Sequence, residues 1–268
     1  MPTPREEFDR ILSDAEKFLQ QQRELYGDLY LTPQEGRTPA AVPAEPMPRK
    51  KAEQTADDQN LFGETPAPAG PALPDESWTA SSTIADLNSA ICNCMKCSLG
   101  ATRTKFVFGV GNPDADLVLV GEAPGADEDR QGEPFVGRAG QLLNKILEAI
   151  NFKREDVYIC NILKCRPPNN RDPQPEEVAQ CEPYLWKQLE LLRPKLILCL
   201  GRVAAQVLLK TNESLTSLRG RVHDYRGIRL MVTYHPAALL RNPNWKRPTW
   251  EDVQKVRSMY DELVAGKS

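Results

Sequence analysis

The stretch DLVLVGEAPGADEDRQGEPFVGRAGQLL, residues 116–143, decides the fold. Its first six residues are almost continuously apolar, which is typical of a strand that is buried on both faces. A loop rich in glycine and proline follows, and Leu142 and Leu143 begin the apolar face of a helix. A buried strand that passes through a loop into a helix predicts one unit of an α/β sheet.

The same alternation of strand and helix continues along the chain, and it predicts a parallel sheet covered by helices on both faces. The predicted strands are 116–121, 157–163, 195–201 and 229–234, and the predicted helices include 175–192, 202–210 and 250–264. Ligands of such sheets bind outside the carboxyl ends of the strands. Functional residues are therefore expected in the segments that follow these strands.

The first 80 residues have a different composition. Residues 4–22 carry apolar residues at helical spacing, which predicts an amphipathic helix that either binds a protein partner or packs on its own domain. Nine of the 23 prolines fall between residues 33 and 74, and large apolar residues are scarce there. Such a segment cannot bury enough apolar surface to fold. The predicted organisation is an N-terminal helix in 1–32, a disordered linker at 33–80, and a folded domain at 81–268.

Charge and cysteine content limit the class of protein. Residues 1–80 hold 8 Lys/Arg and 15 Asp/Glu, whereas residues 81–268 hold 26 and 22, so the folded domain is mildly basic. This charge is compatible with a nucleic-acid partner, although it equally describes an ordinary solvated surface. No apolar run is long enough to cross a membrane, and no leader peptide is recognisable. We expect a monomeric, cytoplasmic protein, in which seven cysteines favour metal binding or catalysis over disulfides.

Four cysteines form a candidate metal centre: Cys94 and Cys97 in a CMKC pair, then Cys165 and Cys181 on either side of a loop rich in Pro and Asn. Four thiolates from two distant segments can hold an iron–sulfur cluster or a tetrahedral zinc ion, and spacing alone does not choose between them. Cys92 leaves two other pairings open in this segment, Cys92–Cys94 and Cys92–Cys97.

Polar residues at the predicted strand ends form a second constellation. Glu122 and Glu128 lie in an acidic loop that would repel a phosphate. Asn161 ends an otherwise apolar strand, where its amide could read the edge of a base or could merely satisfy the core. His235 is followed by two leucines and Arg241. These could be a proton donor to a leaving base, an apolar wedge and a phosphate contact.

Five segments together resemble the iron–sulfur family, usually called family 4, of the uracil-DNA glycosylase superfamily. They are CxxCxL at 94–99, GNPxADLVLVGEAPG at 111–125, GxPFVGRAGxLL at 132–143, NxxKCRPPxNRDP at 161–173 and HPAxLLR at 235–241. The resemblance implies a three-layer α/β/α sandwich with a mainly parallel central sheet. It also implies a 4Fe-4S cluster on the four cysteines named above.

The resemblance further implies a role for each site residue. Phe135 stacks on an extruded uracil, Asn161 binds the O4/N3 edge of the base, and His235 faces O2. Glu122 and Ala123 form the floor, with Glu128 near the attacking water. Leu239 fills the gap that the extruded base leaves in the duplex, and Arg241 contacts a phosphate.

The expected function is that of a monofunctional uracil-DNA glycosylase. It would hydrolyse the N-glycosidic bond of flipped-out deoxyuridine in single- or double-stranded DNA, leave an abasic site and so initiate base excision repair. The alternative is a non-catalytic or covalent uracil-DNA binding protein of the same superfamily. The covalent branch uses a histidine in a basic insertion, and the corresponding loop here, residues 166–180, contains none. Residues 59–62, QNLF, resemble peptides that bind bacterial replication clamps and suggest a possible protein partner.

Overall fold

The computed structural model describes residues 74–265, which lie within one compact unit, Phe62–Ser268. The predicted N-terminal helix, most of the predicted linker and the QNLF segment lie outside the described residues. The described part contains a sheet of six strands in the order β1-β3-β2-β4-β6-β5. The strands are β1 (Val110–Gly111), β2 (Leu117–Gly121), β3 (Tyr158–Asn161), β4 (Leu196–Leu200), β5 (His223–Tyr225) and β6 (Ile228–Thr233).

Nine α-helices accompany the sheet within residues 74–265. They are α1 (Ile84–Ile91), α2 (Leu99–Thr102), α3 (Ala126–Gln131), α4 (Arg138–Ala149), α5 (Pro175–Leu192), α6 (Arg202–Leu209), α7 (Leu215–Leu218), α8 (Pro236–Arg241) and α9 (Lys246–Ala265). Short 3-10 helices occur at Ser77–Ala80, Arg154–Asp156, Pro168–Asn170 and Pro243–Trp245. No helix of the described region is long and apolar enough for a membrane span.

The core has two halves, one on each face of the sheet, because successive strand residues point to opposite faces. Val118 and Val120 of β2 pack with α1, α5 and α6, whereas Leu117 and Leu119 pack with α4 and α9. Strand β4 divides its residues in the same way. The prediction of a three-layer α/β/α sandwich is therefore confirmed.

The four central strands, β3, β2, β4 and β6, are parallel, and the two edge strands are antiparallel to them. Parallel pairing places the carboxyl ends of β2, β3 and β6 along one edge. Gly121 at the end of β2 is the register partner of Asn161 at the end of β3. The residues that follow these strands therefore meet on one side of the molecule.

The predicted linker ends too late. Residues Ser77–Ala80 form a 3-10 helix, and Trp78 is only 5% exposed. Its ring packs edge-on against Tyr184, with the ring centroids 4.8 Å apart. Burial of one large aromatic side chain is enough to anchor a short segment that is otherwise rich in polar and small residues. The ordered domain thus begins before residue 81.

Candidate active site and cysteine centre

A cleft of about 350 Å³ opens at the carboxyl ends of the parallel strands. Its walls bring together segments that are far apart in sequence: the loop after β2, the end of β3, the loop before α5, and the start of α8. The lining residues are Glu122, Ala123, Pro124, Gly125, Glu128, Phe135, Ala139, Asn161, Pro167, Asn170, Arg171, Asp172, His235, Ala237 and Arg241. All the predicted site residues in this region line the cleft except Leu239.

Asn161 presents an unused amide to the cleft. Its side chain is 2% exposed, and its Oδ1 has no hydrogen-bond partner among the described residues. Gly121 makes room for this amide, because a Cβ there would lie 2.3 Å from Asn161 Oδ1. A buried acceptor without a partner is costly, which is why such atoms are rare in native proteins. An N–H donor on a bound ligand would satisfy it.

His235 is held as one neutral tautomer. Its Nδ1 accepts a hydrogen bond of 3.1 Å from the backbone N–H of Ala237, so the ring proton lies on Nε2. Burial and, to a smaller extent, the charge of Arg241 lower the pKa of His235 to about 4, against the opposing effect of Glu128. The imidazole is therefore uncharged at neutral pH and carries a single N–H donor.

Phe135 forms an aromatic wall beside His235. The two ring centroids are 5.4 Å apart, with the planes tilted by 33°. Phe135 is 5% exposed, and its ring approaches Gly121 so closely that a Cβ there would lie 2.7 Å from Phe135 Cζ. A planar base could stack on such a ring.

The carboxyl of Glu122 is perturbed by its surroundings in the cleft. It follows β2 directly, and its backbone carbonyl accepts a 3.0 Å hydrogen bond from Leu163 N–H. Burial raises the pKa of the Glu122 carboxyl above its ordinary value, and the negative charge of Asp172 raises it further, against the opposing effect of Arg202. A carboxylate with a raised pKa is a stronger base than an exposed one.

Glu128, in contrast, is used to hold the backbone. Its Oε1 accepts from the N–H groups of Val136 at 2.9 Å and Gly137 at 3.0 Å, and its Oε2 accepts from Gly125 N–H at 3.1 Å. The carboxylate also fills the space beside Gly125, where a Cβ would lie 2.6 Å from Oε2. Glu128 therefore braces the wall of the cleft in this structure, and its place near the attacking water stays a prediction.

The predicted wedge residue, Leu239, does not face solvent in this structure. Leu239 is 2% exposed and packs inside the domain, whereas the adjacent Leu240 is 42% exposed. Both belong to the six-residue helix α8, and consecutive helical residues point about 100° apart. Arg241, the last residue of the helix, is exposed at the rim of the cleft. The apolar side chain that α8 offers to solvent is therefore Leu240.

The four predicted ligand cysteines lie in one cluster next to α5. Cys165 and Cys181 are buried within the core half that packs on α1 and α5, and Cys94 and Cys97 pack against it from the loop after α1. Burial raises the pKa of the Cys165 thiol and raises that of Cys181 to about 12. No three His, Cys, Asp or Glu side chains between residues 74 and 265 converge as a single-ion site requires.

Three hydrogen-bond donors point at the sulfur atoms of this cluster. Arg103 Nη1 donates to Cys165 Sγ at 3.3 Å, the backbone N–H of Lys164 donates to Cys181 Sγ at 3.3 Å, and Tyr184 O–H donates to Cys94 Sγ at 3.2 Å. Donors of this kind stabilise thiolates and tune metal-bound sulfur. The donor set and its apolar surroundings therefore fit a thiolate-bound cluster.

The thiol of Cys92 contacts the backbone of its own helix. Its Sγ lies 3.5 Å from the carbonyl oxygen of Ser89, one turn back in the chain, and its own carbonyl accepts from Arg103 Nη2 at 3.2 Å. This arrangement favours the pairing of Cys94 with Cys97 over either pairing that includes Cys92.

Two residues near the site were missed from the sequence. Lys164 is fully buried, and its Nζ donates to the Asn161 carbonyl at 2.8 Å and to Gln188 Oε1 at 2.5 Å. It thus joins the strand end that carries the amide to the helix that carries Cys181. The second residue, Arg154, donates a hydrogen bond from Nη1 to the backbone carbonyl of Phe135. The lysine directly after an apolar strand could have indicated a buried role for Lys164. Nothing in the sequence distinguished Arg154 from a surface arginine.

Comparison with known proteins identifies the family. Residues 108–254 match the Uracil DNA glycosylase superfamily. The chain is 47% identical to the type-4 uracil-DNA glycosylase of Archaeoglobus fulgidus over 182 residues, which cover 65% of this chain and 92% of the relative. It is 42% identical to the type-4 enzyme of Thermotoga maritima over 68% of this chain and 96% of the relative. The chain is also 35% identical to a type-5 uracil-DNA glycosylase of Pyrobaculum aerophilum, over 54% of this chain and 71% of the relative. The chain therefore belongs to the uracil-DNA glycosylase superfamily and, within it, to the type-4 family.

Proposed function

We propose that this protein is a monofunctional uracil-DNA glycosylase, which hydrolyses the N-glycosidic bond of flipped-out deoxyuridine and leaves an abasic site that starts base excision repair. The observation that carries the proposal is the buried, unpartnered Oδ1 of Asn161 in a cleft that also contains Phe135 and His235. A uracil N3–H supplies the missing donor, and the amide N–H₂ can donate to O4. Cytosine offers the opposite pattern, and sites built on such hydrogen bonds reject the wrong partner by about 10⁴-fold or more.

His235 acts on the leaving base. As the glycosidic bond breaks, negative charge develops on the uracil and in particular on O2. The neutral His235, with its proton fixed on Nε2 by the Ala237 amide, donates a hydrogen bond to that oxygen. A preorganised donor of this kind stabilises developing charge without proton transfer. The low pKa of His235 supports this role, because the ring stays neutral over the working range of pH.

Glu122 is the group that we assign to the attacking water. Its carboxyl lines the cleft at the end of β2 and has a raised pKa, whereas both oxygens of Glu128 accept backbone hydrogen bonds. Carboxylates with raised pKa are suited to accept a proton from water near neutral pH. Ala123, at the floor of the cleft, contributes a small apolar contact to the base.

The DNA strand is engaged by the exposed end of α8. Leu240 is the apolar side chain available to enter the space that the extruded base leaves, and Arg241 beside it can contact a phosphate. Wedges of this type offset the cost of unstacking a base. The DNA-facing role that the sequence suggested for Leu239 therefore passes to its neighbour.

A 4Fe-4S cluster on Cys94, Cys97, Cys165 and Cys181 is the cofactor that we assign to the cysteine centre. Bound there, it would crosslink the segment after α1 to the loop between β3 and α5 and to α5 itself, a structural rather than a chemical contribution. Its absorbance, broad and near about 400 nm, and the iron content would distinguish it from zinc. Cys165→Ser and Cys181→Ser should lose both signals and stability, because ligation and folding are coupled. Cys92→Ser is the matched control and should keep them; a colourless protein with stoichiometric zinc would refute the assignment.

The decisive test of activity uses oligonucleotides that contain one uracil, incubated with the purified full chain and then cleaved at abasic sites with alkali. After incubation with wild-type protein, alkali should cleave the uracil strand and leave a thymine strand intact. His235→Ala should reduce the single-turnover rate by about 10²–10³-fold, with a smaller loss of binding. His223→Ala removes the other histidine, which bonds the Leu218 carbonyl outside the cleft, and should act like wild type. Binding of uracil DNA without abasic-site formation would instead identify a non-catalytic or covalent binding protein.

A further inference from the structure

Phe135 has a backbone conformation that aromatic residues rarely adopt. Its φ of 53° lies in the left-handed region, where the Cβ crowds the backbone. Such conformations persist only where neighbouring groups hold them, and they concentrate at functional sites. Since the ring of Phe135 lines the cleft, the groups that hold its backbone also determine where that ring lies.

Arg154 holds the carbonyl side of this segment. It lies in the 3-10 helix after α4, where its Nη2 donates to the carbonyl of Pro134 at 2.5 Å and its Nη1 donates to that of Phe135 at 3.2 Å. Nη1 also donates to Asn144 Oδ1 of α4 at 3.2 Å, which anchors the guanidinium to the helix. The planar guanidinium of an arginine can donate to two successive carbonyls through separate nitrogens, whereas a lysine has only one nitrogen from which to donate.

Two further contacts restrict the same segment. Glu128 accepts hydrogen bonds from the N–H groups of Val136 and Gly137, the two residues that follow Phe135. On the other side, helix α4 presents Gly140 to the Phe135 carbonyl, where a Cβ would lie only 1.8 Å from the oxygen. Residues 134–137 are thus held by a cation at their carbonyls and by an anion at their amides.

We infer that Arg154 is a positioning residue for base binding, which keeps Phe135 in the left-handed conformation so that its ring forms the stacking wall of the cleft. The inference rests on the proposed function, because uracil is the base that would stack on the ring of Phe135. Arg154 is not among the residues that line the cleft, so its effect on the base must pass through Phe135. Stacking is present in the ground state and in the transition state alike, and its loss therefore weakens binding more than it slows the saturated reaction.

The test compares Arg154→Gln and Arg154→Lys with wild type in the full chain, by inhibition with free uracil and by the single-turnover rate at saturating enzyme. Arg154→Gln should weaken uracil inhibition about tenfold, the effect of losing one base–aromatic stack. Its saturated rate should stay within about threefold of wild type. Arg154→Lys should lie between the two. Arg257→Gln is the matched control, because Arg257 also donates to a backbone carbonyl, but that carbonyl belongs to Asn151, which does not line the cleft.

A double-mutant cycle separates positioning from a general structural effect. In a Phe135→Ala background, Arg154→Gln should cause no further loss of uracil inhibition, since the ring that it positions is absent. The same tenfold loss in that background, or unchanged uracil inhibition in the single variant, would overturn the inference. Should Arg154→Gln fail to fold, Arg154→Lys supports the same cycle. Wild-type protein that neither excises uracil nor is inhibited by it would refute the proposed function itself. If the wild type is active and Arg154→Gln is inhibited by uracil as strongly as the wild type, only the role of Arg154 is refuted.

Discussion

At the scale of single residues, the pKa values of two residues that line the cleft, His235 and Glu122, shift in opposite directions. The pKa of His235 falls to about 4, whereas that of Glu122 rises above its ordinary value. Burial causes both shifts, because it disfavours the charged form of either group. Above about pH 4 the histidine is therefore a neutral donor, and the glutamate gains its negative charge as the pH rises through its raised pKa.

The pH dependence of excision should therefore belong to Glu122. As the pH falls through the raised pKa of this carboxyl, the carboxylate is protonated and the single-turnover rate should fall. The decline should begin above the pH at which His235 titrates. Glu122→Gln should abolish this acid limb and lower the plateau rate by roughly 10²–10⁴-fold. Rates measured between about pH 4.5 and 8 provide the check, and an acid limb that survives unchanged in Glu122→Gln would show that another group activates the water.

Asn161→Asp should move base preference towards cytosine. The position is almost fully buried, so the introduced carboxyl should be largely protonated. Its carbonyl oxygen can then accept from the exocyclic amine of cytosine, while the donor to uracil O4 is weakened. Single-turnover rates on matched oligonucleotides with uracil or cytosine measure the ratio. Asn170→Asp is the control, since Asn170 lies at the exposed rim of the same cleft; an equal change there would indicate an effect of charge alone.

At the scale of elements, close packing between helix α4 and the preceding loop should be sensitive to one methyl group. Gly140→Ala would place a Cβ 1.8 Å from the Phe135 carbonyl oxygen, so backbone must move. We expect a loss of about 1–3 kcal/mol in the free energy of unfolding and weaker inhibition by uracil. Denaturant unfolding and uracil inhibition measure the two effects.

Gly137→Ala is the matched control at the start of the same helix. There the added Cβ would meet Asp127 Oδ2, the end of a side chain that can rotate away, and φ is −73°. It should therefore destabilise less than Gly140→Ala. Equal losses in the free energy of unfolding from the two variants would mean that the close contact between α4 and the Phe135 carbonyl is not what makes Gly140→Ala destabilising.

The elements also show where sequence reasoning succeeds. Strands β2, β3, β4 and β6 were predicted because each is a continuous apolar run, and helix α5 was predicted with its bounds because proline and glutamate mark its start. Strands β1 and β5 were missed, since two or three residues give no readable period. In α8 the spacing could not tell Leu239 from Leu240, because adjacent leucines in so short a helix fit either orientation. The acidic loop likewise gave no sign that Glu128 would be bound by backbone amides.

At the scale of the whole molecule, the start of the ordered domain can be tested by two deletions. Removal of residues 1–73 should leave uracil excision and stability unchanged, because every residue that lines the cleft lies between 122 and 241. Removal of residues 1–80 also deletes Trp78 and the Glu76–Lys96 ion pair. It should cost on the order of 3 kcal/mol in the free energy of unfolding, as buried tryptophans do.

Thermal melting of the two deletion proteins measures the difference. The full chain with Trp78→Ala should reproduce most of the loss. Because Trp78 packs on Tyr184, whose hydroxyl donates to Cys94, the longer deletion should also weaken retention of the cofactor. Identical melting of the two deletion proteins would mean that Trp78 does not anchor the domain.

The parallel sheet has a consequence for how base preference can change. Asn161 ends β3 and His235 lies two residues beyond β6, and strands β2 and β4 lie between these two strands. Neighbouring strands lie about 4.8 Å apart, so the ends of β3 and β6 are separated by roughly 14 Å. This separation can change only by whole strands, and losing a strand would destroy the fold. Variants that accept other bases must therefore arise from changes in side-chain length at the strand ends, over a backbone framework whose dimensions stay constant.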